Sequence, residues 1–96
     1  MSTIQTYPWD AAEHLETKED ITAYLEAALE NGDANLVLAA LGDVARSQGM
    51  NDIALETGLG RESLHQALSM EGNPDFSTIL KVLQALGLRF QVIPIA

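Results

Sequence analysis

The chain has 96 residues, of which 47% are hydrophobic and 20% charged, a composition that excludes a disordered chain and predicts one globular domain. It contains no cysteine, which excludes a disulfide framework and a thiolate metal site. Fourteen acidic and five basic side chains give a net charge of −9, so any binding to a polyanion has to be reconciled with this acidity.

The N-terminal sequence MSTIQTYPWD lacks the basic region and apolar run of a secretion signal. No apolar run approaches the roughly 20 residues needed to cross a bilayer, so we expect a cytoplasmic protein without membrane attachment. Residues 1–49 carry nine acids and two bases, whereas residues 50–96 carry five acids and three bases. Either the two halves face different partners, or the acid only keeps the protein soluble.

Residues 1–16 are predicted to form an N-terminal arm. Pro8 prevents a helix from running through this segment. Tyr7 and Trp9 place two aromatic side chains there, and such side chains either pack on their own domain or anchor in a partner's groove. Residues 17–96 then form the domain itself.

Two amphipathic helices are predicted after the arm, because apolar residues recur there every three or four positions. Small polar residues with a free side-chain oxygen precede each helix, and glycine follows each one, as is typical of helix caps. The first helix is predicted to begin at Thr17, with Asp20 completing its cap, and to end at Gly32. The second is predicted to begin at Asp33 and to end at Gly49.

The stretch MNDIALETGLGRESLHQALS is typical of two short helices around a tight corner. Asn51 is predicted to cap the first helix, Gly58 to take the positive φ of the turn, and Gly60 to lead into the second helix. Ala54 has to be small because the second helix crosses close to it. We therefore predict a helix-turn-helix over residues 51–69.

The outward face of the second helix of this corner is polar, and it fits the major groove of DNA. Arg61 could contact a guanine or a phosphate, Gln66 could form two hydrogen bonds with adenine, and Glu62 could accept a hydrogen bond from a cytosine amino group. His65 and Ser69 share the face of these three residues. A solvated face of an ordinary helical hairpin would have the same pattern.

A final helix is predicted to begin at the cap Asp75 and to close at Gly87. The following LRFQVIPI, residues 88–95, has the alternation of a strand. No second strand is visible, so we predict antiparallel pairing with the same strand of a second copy about a two-fold axis. The alternative is a coil lying on the domain. The predicted dimer contacts are Phe90, Gln91, Val92 and Ile93.

Enzymatic chemistry finds little support in the sequence. His14 and His65 are 51 positions apart, which is not the spacing of a helical metal pair. Neither a glycine-rich phosphate loop nor a nucleophile elbow is present. We therefore expect no catalytic residues, no metal and no cofactor.

One long segment resembles a known family. ALGDVARSQGMNDIALETGLGRESLHQALSMEGNPDFSTILKVLQALGL, together with EDITAYLEAALENGD upstream, is similar to the HigA-like addiction-module antidotes, the antitoxins of type II toxin–antitoxin pairs. The resemblance covers about residues 10–88. It implies an all-α fold of about five helices, lambda-repressor-like and of the XRE/Cro type, and a homodimer. It also implies repression of its own operon through palindromic operator DNA, and neutralisation of a small basic RelE/ParE-like toxin.

The resemblance places the DNA-reading face on the five polar residues of the second corner helix and adds Asn51 and Asn73 as contacts to the DNA backbone. Relatives commonly have Ser where Gly60 stands, and Tyr followed by Lys where His65 and Gln66 stand. The missing lysine removes about one counterion's worth of salt-dependent affinity per subunit. We therefore expect weaker operator binding here.

A basic toxin would explain the acidic charge, because complementary charge speeds the encounter of two proteins. The family provides no motif for toxin contacts, so we predict them from charge and aromatic character alone. They are Tyr7, Trp9, Glu13, Glu16, Glu19 and Asp20. Two alternatives remain: a helix-turn-helix regulator without a toxin, and an interaction module that has lost DNA binding.

Overall fold

A computed structural model describes residues 15–95, so most of the predicted arm lies outside the described residues. The described part contains five α-helices and no strand, which confirms the all-α prediction at this level. The helices are α1 (Lys18–Asn31), α2 (Ala34–Gln48), α3 (Met50–Thr57), α4 (Arg61–Ala67) and α5 (Phe76–Ala85). Over residues 15–95, none of these helices has the length and apolarity to cross a membrane.

Local side chains set the boundaries of α1 and the start of α2. The Thr17 hydroxyl accepts from the backbone N–H of Asp20 at 3.0 Å, and the Asp20 carboxylate accepts from the Thr17 N–H at 3.1 Å. Gly32 ends α1 with a φ of 84°. The Asp33 carboxylate then accepts from the N–H of Asn35 at 3.0 Å. The capping box and the glycine stop predicted from sequence are therefore confirmed.

The start of α3 differs from the prediction. Gly49, with a φ of 109°, both ends α2 and precedes α3, so the helix begins at Met50. Asn51 lies exposed in the first turn and is not the cap. The side chain of Met50 is only 6% exposed, and its burial in the core stabilises the earlier start. Asp75 does precede α5, but its side chain makes no capping hydrogen bond.

The core lies where α3 meets its neighbours. Helix α1 packs on α2, and α3 contacts α2, α4 and α5. All five helices contribute side chains with almost no solvent exposure, Ile21 of α1 among them, and burying each large apolar side chain is worth about 1.5–3 kcal/mol. These residues include Leu41, Val44, Ile53, Leu64, Leu68 and Val82.

Gly42 allows α2 to pass very close to the end of α4. A Cβ atom at this position would overlap the backbone carbonyl oxygen of Leu68 and lie 3.4 Å from its carbonyl carbon. Gly42 is itself buried in the middle of a regular helix. Backbone atoms of the two helices therefore approach each other with no room for a methyl group.

Gly42→Ala should destabilise the protein, although alanine is about 1 kcal/mol better than glycine in a helix interior. The overlap with a backbone carbonyl forces α2 and α4 apart, and overpacking of this kind costs about 1–3 kcal/mol. Urea unfolding followed by circular dichroism measures the effect. Gly60→Ala is the matched control, since its new methyl group would have only the Ser63 hydroxyl within 4 Å, at 3.9 Å. An increase in stability of the Gly42 variant would contradict the packing described here.

The strand predicted over residues 88–95 is not formed in this single chain. Leu88 still packs against the core, and its N–H donates to the carbonyl of Leu83 at 2.8 Å. The Phe90 ring stacks on Phe76 with centroids 5.8 Å apart. Val92 is then 96% exposed, so the segment leaves the domain surface instead of lying along it. A strand needs a neighbouring strand, and residues 15–95 offer none.

Candidate nucleic-acid interface

The turn between α3 and α4 consists of three residues, as predicted. Gly58 has a φ of 78°, and its N–H donates to the carbonyl of Ala54 at 3.0 Å. Buried Thr57 donates its hydroxyl hydrogen to the carbonyl of Ile53 at 2.8 Å and accepts from the N–H of Leu59 at 3.4 Å. These bonds tie the end of α3 to the turn and fix where α4 begins.

Burial of one side of α4 orients its other side. Leu64 is fully buried and Leu68, immediately after the helix, is 2% exposed. Because residues four apart lie on one face of a helix, the opposite face points away from the core. Its polar side chains are exposed and together line one open depression of about 550 Å³. They are Arg61, Glu62, His65 and Gln66.

Ser69 and Asn73 lie beyond the C-terminal end of α4. The Ser69 hydroxyl donates to the carbonyl of Gln66 at 2.8 Å, so its hydrogen already has a partner within the protein. Ser69 is half-buried and Asn73 is exposed in the loop that leads to α5. Neither residue belongs to α4, which ends at Ala67, so Ser69 does not continue the polar face of that helix.

Asn51 lies beside the first residue of α4. It lines two open depressions, of about 520 and 440 Å³, and Arg61 lines both of them. The larger depression also includes Arg46 from the last turn of α2. Sequence reasoning missed Arg46. The available signal was its position three residues before Gly49, where the chain turns back and places the end of α2 against the start of α3.

Arg46 is held in a short chain of polar contacts. Its guanidinium forms an ion pair with the carboxylate of Asp43, one turn earlier on α2. The other oxygen of that carboxylate accepts from the hydroxyl of Tyr24 on α1 at 2.6 Å. Burial, and secondly this hydrogen bond, raise the pKa of Tyr24 to about 12, so its hydroxyl stays a donor at every physiological pH. The chain links α1 to the end of α2.

Only some of the residues predicted to contact a toxin lie in the part of the chain that the structure describes. Tyr7, Trp9 and Glu13 lie outside the described residues. Glu16 and Glu19 are exposed near the start of α1. Asp20 is exposed too, but the backbone N–H groups of Thr17 and Glu16 donate to its carboxylate and lower its pKa. Asp20 therefore has a structural role as part of the cap.

Of the predicted dimer contacts, Phe90 is the most enclosed, at 36% exposure. Gln91 is exposed, and Val92 and Ile93 are 96% and 62% exposed. The segment thus presents apolar side chains to solvent.

Residues 5–94 match the model of a protein family described as "Probable addiction module antidote protein". The chain belongs to this family. An uncharacterized protein of Haemophilus influenzae is 48% identical over 90 residues, which cover 94% of this chain and 93% of the relative. No solved structure matches the chain. Membership in the antidote family supports the antitoxin role and implies a toxin as partner.

Proposed function

We propose that this antidote is the HigA-like antitoxin of a type II pair, with two activities. It binds and occludes a small basic toxin, and it represses its own operon as a helix-turn-helix dimer on palindromic operator DNA in the cytoplasm. The outward polar face of α4 is the observation that carries the second activity. Its family carries the first.

The size and shape of α4 suit the major groove. An α-helix with its side chains is about 10–12 Å in diameter, and the major groove of B-DNA is about 12 Å wide. Gln66 could form two hydrogen bonds with an adenine edge, and His65 lies one residue away on the same face. Glu62 only accepts hydrogen bonds, so it suits a cytosine amino group and repels phosphate.

The acidic charge predicts weak attachment to DNA of arbitrary sequence, because such attachment depends on phosphate neutralisation by basic side chains. A dimer offsets this weakness. Two copies of α4 about 34 Å apart can engage both halves of a palindrome together, and the second contact is then effectively intramolecular. Repression therefore depends on dimerisation.

Gln66→Ala and Arg61→Ala should each weaken binding to the duplex upstream of the protein's own gene by about 1–3 kcal/mol, roughly 5- to 150-fold. Each substitution removes side-chain hydrogen bonds from the DNA-facing side without touching buried Leu64. Fluorescence anisotropy at low salt measures the affinities. Lys81→Ala on α5, exposed and outside the α4 depression, is the control. Absence of binding to this duplex would indicate an interaction module that has lost DNA binding, and equal binding by all variants would exclude the polar face of α4 as the DNA-reading face.

The proposed dimer uses the apolar C-terminal segment. Phe90, Val92 and Ile93 expose apolar surface, and pairing residues 88–95 with a second copy would satisfy backbone groups and cover that surface. Pro94 suits the end of such a strand.

Hydrogen exchange checks this arrangement. Amides from Phe90 to Ile93 should become protected only at concentrations where sedimentation shows a dimer. Val92→Asp should shift the equilibrium toward monomer by at least tenfold, since an aspartate buried without a partner costs more than about 1.4 kcal/mol. Thr22→Asp on exposed α1 is the control. Unprotected amides in a dimeric sample would exclude the paired strand.

The toxin interaction is proposed to involve the acidic start of α1, with Glu16, Glu19 and Asp20, and the arm with Tyr7, Trp9 and Glu13. Negative charge on this side would steer a basic protein into contact, and the aromatic side chains would anchor it. Stoichiometric coverage of the toxin's functional surface then suffices for neutralisation.

The product of an adjacent short, basic reading frame is the probe for this interaction. The double variant Glu16→Gln, Glu19→Gln should lower its association rate several-fold at low salt, because steering scales with complementary charge. The control Glu26→Gln, Glu30→Gln removes the same charge elsewhere on α1. Lack of any complex, or a growth arrest that co-expression does not relieve, would leave a stand-alone regulator as the function.

A further inference from the structure

Two of the chain's five basic side chains line the same depression. Arg46 comes from the end of α2 and Arg61 from the start of α4, and the first turn of α3 lies between them. Lys18, by contrast, donates its ammonium hydrogen to the Leu86 carbonyl at 2.8 Å. A chain with a net charge of −9 therefore places two arginines along one open concavity.

This depression is continuous with the proposed DNA-reading face. Arg61 lines it and also lines the depression formed by Glu62, His65 and Gln66. Because the first helix of a helix-turn-helix crosses the DNA backbone while the second lies in the major groove, groups beside the first turn of α3 and the first residue of α4 would meet the wall of the groove. That wall is the phosphate backbone.

We propose that Arg46 and Arg61 together hold one backbone phosphate, with the side-chain amide of Asn51 as an additional donor. The proposal rests on the DNA-binding function above and extends the interface from α4 to the end of α2. It also assigns Arg61 to phosphate instead of guanine. Base recognition is then left to Glu62, His65 and Gln66.

The chemistry of the depression suits a phosphate. A guanidinium has five N–H donors, and the contact of Arg46 with Asp43 uses only part of them. The Arg46 side chain is 43% exposed, so its remaining donors can reach a ligand. Arginine pairs bind phosphate oxygens with short, charge-assisted hydrogen bonds. The Tyr24 hydroxyl donates a hydrogen bond to the Asp43 carboxylate, so Arg46 is not the sole partner of that negative charge.

Two carboxylates reduce the attraction of this depression for a phosphate. Asp52 lines the same depression, and Asp43 neutralises part of the charge of Arg46. The attraction for phosphate is therefore weaker than two free arginines would provide. Asp52→Asn removes one opposing charge without enlarging the side chain, and it should strengthen binding to DNA of any sequence.

The test compares the salt dependence of binding to the protein's own upstream duplex and to a scrambled duplex. Arg46→Ala and Arg61→Ala should each reduce the slope of log K against log salt by about one per subunit. They should also weaken binding to both duplexes by similar factors. Gln66→Ala should weaken binding only to the upstream duplex and leave the slope unchanged. Lys81→Ala is the matched cation control.

A double variant separates the loss of the Arg46 side chain from the effect of leaving the Asp43 carboxylate without its ion-pair partner. Arg46→Ala with Asp43→Asn removes the ion pair as a unit, and thermal unfolding shows whether it is folded. Arg46→Lys retains the charge and should keep the wild-type slope. A wild-type slope in the double variant, or unchanged binding in Arg61→Ala, would overturn the phosphate site while operator binding stands. Absence of wild-type binding to either duplex would overturn the DNA-binding function itself.

Discussion

The burial of Leu64 and Leu68 is the constraint on which the interface depends. A helix of seven residues has little stability of its own in water, so α4 exists because its apolar side packs into the core. That packing fixes the rotation of the helix about its axis. The side chains of Arg61, His65 and Gln66 therefore point outward because two leucines are buried on the opposite side of the helix.

Local chemistry explains which parts of the fold could be predicted. The capping box at Thr17 and the left-handed Gly32 and Gly58 depend on neighbours within four residues, so the sequence pattern suffices. The start of α3 could not be predicted, because the packing of Met50 in a core built by distant helices decides it. The predicted strand depends on a neighbour that one chain does not supply.

The candidate site divides in the same way. The polar face of α4 could be predicted from helical spacing, since its residues lie on one short segment. Arg46 could not, because its proximity to Arg61 depends on how α2 and α4 are placed relative to α3. The position of Arg46 before Gly49 places it near the start of α3, but spacing along the chain does not show that α4 begins beside it. The acidic contacts for a toxin were inferred from charge, and charge alone does not separate a partner surface from a cap such as Asp20.

The close approach at Gly42 has a consequence for regulation. Because α2 and the end of α4 meet through backbone atoms, the two helices cannot approach each other more closely at this point. A ligand on the α1 side therefore cannot alter the outward face of α4 by moving α2 closer to that helix. Coupling between the two proposed activities would then work through occlusion, or through a change in how the two subunits of the proposed dimer are spaced.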